Sequence, residues 1–365
     1  MRAAYRSSLA LSALVAAGNA FAAVTPACVA DLEAAARLVE ENDAGARDLL
    51  ADHGPAIRQA FETARAAAAN AVDAAACQNV LDTYLRSWRP GHLNIKPAGA
   101  AAGNAAQGGA QAAAPRLPSL KVLGKDTLLL VLPSFNDRYA KAVRELVAAH
   151  RPQLESHRNW IIDVRSNSGG ADGTYAPLLG YLLDGPVPRH MVEFLVTPAN
   201  IKAQEAVCPQ MSDPAACAVQ FAPVLAAMRA AAPGSFVLKG GQRIVHAPVT
   251  LEAKQPARVA LLTDRDCGST CEQFVLEARS GYRVKVLGRP TAGAIDVSNM
   301  RPHPLPSGRV LYYGSTRSTR VPDMRLDGIG IAPDILLPVP KDAAARDAEL
   351  LQVQRWIEGG SLDAK

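Results

Sequence analysis

A serine at a strand-to-helix junction is the feature that most restricts how this chain can fold. The apolar run ARVALLT at 257–263 predicts a buried strand, and QFVLEAR at 273–279 predicts a helix. Ser269 falls on the turn between them. Because the first amides of a helix have no partners within it, they can stabilise an oxyanion. The turn therefore suits a nucleophile, although Ser269 or Thr270 as a simple helix cap also fits this segment taken alone.

Strands and helices alternate through the middle of the chain. Four apolar runs have the length and composition of buried strands: 126–132, 159–164, 257–263 and 283–288. Helical spacing lies between them, and 310–313 predicts a further strand. This alternation predicts an α/β core with a largely parallel sheet.

The ends of the chain have a different character from this core. Residues 24–96 predict a small N-terminal helical domain, with helices at 30–40, 55–75 and 77–88. The Ala/Gly/Gln-rich segment that follows is typical of a flexible linker. We therefore divide the chain into a signal peptide at 1–22, the helical domain at 24–96, the linker at 97–116, a core at 117–341 with an insertion at 186–256, and a terminal helix at 342–365.

The N-terminus has the three parts of a secretory signal peptide. Arg2 and Arg6 precede an apolar run at 9–17, and cleavage is expected after Ala22. That run is too short to span a bilayer, so we expect a periplasmic or secreted protein without stable membrane insertion. Without the two arginines the net charge falls from +5 to +3, which is too small and too dispersed to indicate a nucleic-acid partner.

Six cysteines in an exported chain predict disulfide bonds, although the sequence alone does not fix their connectivity. Their spacing favours three pairs: Cys28 with Cys77, Cys208 with Cys217, and Cys267 with Cys271. The last pair would bracket the serine, and two buried thiols are the alternative there. The spacings do not resemble a zinc site and no HExxH segment occurs, so we expect neither a metal nor a cofactor.

Four segments together carry the functional signal. DVRSNSGG at 163–170 can point backbone amides at an anion, Ser269 follows the next junction, GRPTAG lies at 288–293, and DGIGIAPD lies at 327–334. In this order and spacing they resemble the serine peptidase family of tail-specific, or C-terminal-processing, proteases, together with the tricorn core protease. The resemblance covers residues 117–341, and 24–96 more loosely. It implies a crotonase/ClpP-like strand–helix core with Ser269 as the nucleophile.

The chain departs from the Ser/Lys pattern of many family members. The lysine of their TxGK segment is replaced by Ala294, and the nearest lysine, Lys285, lies within a predicted strand. The tricorn-like branch uses instead a histidine at the end of a helical segment, and His92 matches that place. Gly91 stands where that branch has a serine. His92 as an ordinary surface turn residue is the alternative.

The resemblance also implies the remaining site residues. An acidic residue three positions before the glycine of GIxPD orients the histidine, and here it is Asp327, where glutamate is more usual. The oxyanion donors would be the amides of Gly169 or Gly170 and of Thr270. Glu272 completes an SxxE segment, either as an auxiliary catalytic group or as a carboxylate favoured by the helix dipole.

We therefore expect an exported serine endopeptidase that hydrolyses a protein or peptide substrate through an acyl-enzyme. Ser269 would be the nucleophile, His92 the base and Asp327 the orienting acid. The alternatives are a non-catalytic ligand- or peptide-binding protein on the same fold, and another acyl-transfer or crotonase-like enzyme. The PDZ module common in tail-specific proteases has no counterpart, because only the 97–116 linker stands in its place. The sequence does not indicate an oligomeric state.

Overall fold

The computed structural model describes residues 16–97 and 116–359. Most of the predicted signal peptide and most of the predicted linker lie outside the described residues. Within these two ranges, none of the helices is both long enough and apolar enough to cross a membrane.

Helices and strands are numbered in chain order. The helices are α1 (Ala16–Asn42), α2 (Ala46–Ala68), α3 (Ala74–Trp88), α4 (Ala140–Ala149), α5 (Arg151–Ser156), α6 (Asp172–Leu182), α7 (Pro198–Glu205), α8 (Pro214–Ala230), α9 (Thr270–Ala278) and α10 (Ala343–Ile357). The strands are β1 (Asn94–Lys96), β2 (Ser119–Val122), β3 (Thr127–Val131), β4 (Asn159–Asp163), β5 (Val187–His190), β6 (Val192–Leu195), β7 (Phe236–Leu238), β8 (Ile244–Ala247), β9 (Arg258–Thr263), β10 (Val284–Gly288), β11 (Val297–Pro304), β12 (Val310–Ser318) and β13 (Ile335–Leu336).

The central layer is a six-stranded sheet in the order β13-β10-β9-β4-β3-β2. Its strands are parallel except β2, which pairs antiparallel with β3. Alternate residues of β3 point to opposite faces: Leu128 and Leu130 pack with α4, α6 and α9, whereas Leu129 packs with α10. The chain therefore has the α/β core with a largely parallel sheet that the alternating pattern predicts, and helices cover both faces of that sheet.

A second sheet runs in the order β1-β12-β6-β7, with β11 also paired to β12. Its described pairings are antiparallel. Because β6 and β7 belong to it, the segment at 186–256 builds part of this sheet. The sequence did not predict β11, because the prolines and polar residues of this strand weaken the apolar pattern of a strand. It predicted only the first half of β12.

The N-terminal helices pack on the second sheet. Leu311 and Tyr313 of β12 lie in the same apolar cluster as residues of α1, α2 and α3. The sequence predicted that a helix begins at Pro55. Helix α2 instead begins nine residues earlier, and Pro55 lies inside it. Proline removes one backbone hydrogen bond from the helix, and the burial of Ile57 and Ala64 on the apolar face of α2 offsets this loss of stability.

The six cysteines form three disulfide bonds: Cys28–Cys77, Cys208–Cys217 and Cys267–Cys271. The first joins α1 to α3, and the second closes a short loop at the start of α8. The third brackets the serine turn. This is the pairing that the sequence spacing favours.

Candidate active site

Three loops follow the carboxyl ends of β4, β9 and β10, which are neighbours in the parallel sheet. We call them the glycine loop (165–170), the serine turn (264–269) and the alanine loop (289–294). Because parallel strands end at the same edge, the three loops meet there. A Cβ atom added to Gly169 would lie 2.9 Å from Cβ of Ser269, and the Ser269 amide donates to the carbonyl oxygen of Ala294 at 3.1 Å.

Ser269 has a strained backbone. It precedes the first residue of α9 with φ of 57° and ψ of −120°, whereas a residue that only caps a helix has extended dihedrals. Positive φ is uncommon for any residue with a side chain, and it occurs where a sharp strand-to-helix turn presents a nucleophile. Ser269 and Glu272 also form a capping box, but the positive φ sets Ser269 apart from an ordinary helix cap and favours the nucleophile interpretation.

Glu272 is fully buried and binds the alanine loop to the serine turn. Its Oε1 accepts hydrogen bonds from Thr291 Oγ1 at 2.6 Å and from the Gly293 amide at 2.8 Å. Its Oε2 accepts from the amides of Ala294 at 2.8 Å and Ser269 at 3.1 Å. Burial raises the pKa of this carboxyl, and the four hydrogen bonds oppose the rise. Because both oxygens are occupied, the geometry favours a role in holding the loops over a direct role in proton transfer.

Two backbone amides remain as candidate oxyanion donors. The Gly169 amide is bound to Oδ1 of Asn167 at 2.9 Å, so it is not available. Among the described residues, the amides of Gly170 and Thr270 have no hydrogen-bond partner. A Cβ on Gly170 would lie 2.1 Å from the carbonyl of Phe135, so only glycine fits there.

His92 lies in a tight turn between α3 and β1, with φ of 54°. Strand β1 begins two residues later and pairs with β12, so this pairing anchors the histidine to the body of the protein. The turn touches the alanine loop directly, since a Cβ built on Gly91 would lie 2.5 Å from Cβ of Ala294. The His92 turn and Ser269 thus both contact Ala294.

The imidazole of His92 is oriented by a backbone carbonyl. Its Nδ1 lies 2.6 Å from the carbonyl oxygen of Val297, which only accepts, so Nδ1 carries the proton and Nε2 of the neutral ring has a lone pair. Burial lowers the pKa of His92 below its usual value, and the negative charge of Asp327 partly opposes this. The ring is therefore poised as a neutral base.

Asp327 lies beside this group but binds backbone amides. Its Oδ1 accepts from the amides of Ile295 and Asp296, both at 2.7 Å, and its Oδ2 accepts from the Val297 amide at 3.2 Å. Burial, followed by the charge of Asp296, raises the pKa of Asp327. The carboxylate thus fixes the segment that presents the Val297 carbonyl, and it influences His92 through its charge.

A buried ion pair that the sequence reading missed supports the His92 turn. Asp43 binds Arg89 through two hydrogen bonds of 2.6 and 2.5 Å, and Arg89 donates to the carbonyl oxygens of Gly91 and His92, both at 2.9 Å. Burial acts to lower the pKa of Arg89, but Asp43 more than offsets this and the pKa is raised. In the sequence, the only indication of this ion pair is an arginine three residues before His92.

Comparisons with known proteins show the family and the fold of this chain. The model of peptidase family S41 matches residues 126–337. Mature CPAF is similar in structure, with a TM-score of 0.60 and 13% identity over 93% of this chain and 99% of that chain. Mature CPAF complexed with lactacystin gives a TM-score of 0.57 and 11% identity over 92% and 97%. At these identities the two structures show a shared fold. None of the curated proteins matches the sequence.

Proposed function

Since the chain belongs to peptidase family S41, we propose that it is an exported serine endopeptidase that cleaves a protein or peptide substrate through an acyl-enzyme. One observation carries the proposal. Ala294 accepts a hydrogen bond from the amide of Ser269, and its side chain touches Gly91. A strained serine and the turn of a half-buried histidine thus meet at one residue where the family resemblance would place a lysine.

The first chemical step uses Ser269 and His92. Nε2 of His92 takes the proton from Oγ of Ser269 as the oxygen attacks the scissile carbonyl carbon. The carbonyl oxygen gains negative charge, and the amides of Gly170 and Thr270 donate to it. Because these amides have no other partner among the described residues, no existing hydrogen bond has to be broken.

The second step releases the amine and leaves an acyl-enzyme. The imidazolium of His92 gives its proton to the leaving nitrogen while the carbon–nitrogen bond breaks. A water molecule then attacks the ester, His92 accepts its proton and returns it to Ser269. While His92 is charged, the Val297 carbonyl accepts from its Nδ1 and Asp327 supplies a nearby negative charge. Asp327 therefore acts as a positioning and electrostatic residue in this scheme.

Export is supported by the disulfide bonds. All six cysteines are paired, which suits an oxidising compartment such as the periplasm or the extracellular space. The apolar run after Arg2 and Arg6 has the composition of a signal peptide.

Labelling with a fluorophosphonate probe tests the proposal directly. We expect the probe to modify Ser269, and labelling and hydrolysis of a mixed peptide library to be lost together in Ser269→Ala. Ser166→Ala is a matched control, because Ser166 also has positive φ and lies in the neighbouring glycine loop. A folded wild-type protein that neither labels nor cleaves any peptide would instead indicate a non-catalytic binding protein.

A further inference from the structure

The C-terminal helix α10 contacts the loops at the carboxyl edge of the parallel sheet. Its residue Glu349 binds two arginines at once. Nη1 of Arg165, in the glycine loop, donates to Oε1 at 2.7 Å, and Nη1 of Arg289, in the alanine loop, donates to Oε2. One carboxylate therefore links the two loops that flank the serine turn.

This link is buried and closely balanced in charge. Arg165, Arg289 and Glu349 are each 6 or 7% exposed, and Asp163 binds Arg165 through hydrogen bonds of 2.9 and 2.6 Å. Two buried arginines thus face two carboxylates. Removing the charge of Glu349 would leave one buried guanidinium without a counter-charge, which is strongly unfavourable.

Both arginines lie a few residues from the proposed catalytic groups. Arg165 begins the glycine loop, which ends at the oxyanion donor Gly170. Arg289 begins the alanine loop, which ends at Ala294, and its backbone is fixed to Thr263 by hydrogen bonds of 3.1 and 2.9 Å. A shift at Glu349 would therefore change the separation between the oxyanion donor and the residue that supports the base.

We propose that Glu349 is a positioning residue that sets the distance between the glycine loop and the alanine loop, and that α10 is the element that holds it. This inference rests on the proposed peptidase function. Helix α10 lies outside the residues that the family model matches. It also has a second contact at this edge, because Arg346 lies 3.7 Å from Asp264 in the serine turn.

The variant Glu349→Gln tests this, because it keeps the size of the side chain and removes its charge. We expect kcat to fall about 10- to 100-fold, the range that small misplacements of catalytic groups produce, with KM changed less than about twofold. Fluorophosphonate labelling of Ser269 should slow by a similar factor. The variant Arg289→Lys keeps the positive charge but loses the planar donor geometry of the guanidinium, so it should show the same selective fall in kcat. It provides the test if Glu349→Gln does not fold.

Asp31→Asn is the matched control. Asp31, in α1 of the N-terminal domain, is a fully buried carboxylate that binds Arg309 at 3.0 Å and Ser307. None of these residues belongs to the three loops. The variant should lower stability without lowering kcat of the folded enzyme. If kcat is unchanged in Glu349→Gln or in Arg289→Lys, or if it falls equally in Asp31→Asn, the positioning role is overturned. The peptidase function would still stand in that case, because the wild-type protein cleaves peptides. An inert wild-type protein would overturn both.

Discussion

Gly91 and Ala294 face each other so closely that a Cβ atom on Gly91 would lie 2.5 Å from Cβ of Ala294. Real side chains do not approach to this distance, so a residue larger than glycine at position 91 would displace the turn that carries His92. A longer side chain at position 294 would press on the same turn. The two departures from the family pattern, glycine before the histidine and alanine in place of lysine, are therefore one packing arrangement.

This contact predicts a rescue. Gly91→Ser should lower kcat/KM by about 10-fold or more, because the new Cβ pushes the His92 turn away from the serine. Ala294→Gly removes the atom that is hit, so the double variant should recover much of the lost activity. Peptide hydrolysis by the four proteins of this cycle measures the coupling. Purely additive losses would show that the contact does not position the base.

The proposed nucleophile and base should each be indispensable. Ser269→Ala and His92→Ala should each reduce kcat by about 10³-fold or more, and the double variant should lose little beyond either one. Far-ultraviolet circular dichroism checks that the fold is kept. Lys285→Ala is the control, because the side chain of that lysine in β10 is exposed and its loss should leave activity unchanged. The opposite pattern would point to a lysine base.

Much of this architecture could be predicted from the sequence because its signals are local. The alternation of apolar runs and helices predicted the parallel core, and the serine turn stands where the ARVALLT run ends. The cysteine pairs were also predictable from spacing and export. Residues close in the chain determine the serine turn and two of the cysteine pairs, whereas Cys28 and Cys77, which lie 49 positions apart, are the two cysteines that remain.

The support of the base could not be predicted in the same way. The partner of His92 Nδ1 is the Val297 carbonyl, and a backbone acceptor leaves no trace in residue types. The Asp43–Arg89 ion pair joins residues 46 positions apart, and the occupied amide of Gly169 depends on the rotamer of Asn167. Strand β11, which presents Val297, was itself missed.

The lowered pKa of His92 predicts the direction of two pH effects. Only the neutral imidazole can act as the base, so kcat/KM should rise with pH, and the midpoint of the rise should lie below the usual value of about 6.5. Since the unfolded chain binds a proton at His92 more readily than the folded one, stability should fall as pH drops below about 6.5. His92→Gln should weaken this part of the pH dependence of unfolding in urea. A rise in activity centred above pH 7 would contradict the lowered pKa of His92.

The variant Asp327→Asn should distinguish the effect of the Asp327 charge on His92 from the role of Asp327 in holding the Val297 segment. The negative charge of Asp327 acts to raise the pKa of His92, so its loss should move the rise in kcat/KM to lower pH. The amide also replaces an acceptor of the 295–297 backbone amides with a donor, so kcat at the plateau should fall about 10-fold or more. A lower plateau with an unmoved pH profile would show that Asp327 acts only by holding the Val297 segment.

The disulfide that brackets the nucleophile should matter more than the disulfide in the insertion. Cys267 and Cys271 are fully buried, and the bond joins the serine turn to the first turn of α9, whose Thr270 amide is a proposed oxyanion donor. Replacing both cysteines with alanine should lower kcat about 10-fold, since donors displaced by half an ångström or more are less effective. Replacing Cys208 and Cys217 with alanine is the matched control and should lower thermal stability without lowering kcat. Non-reducing peptide mapping of the native protein should find neither Cys267 nor Cys271 alkylated, and alkylation of both would rule the bond out.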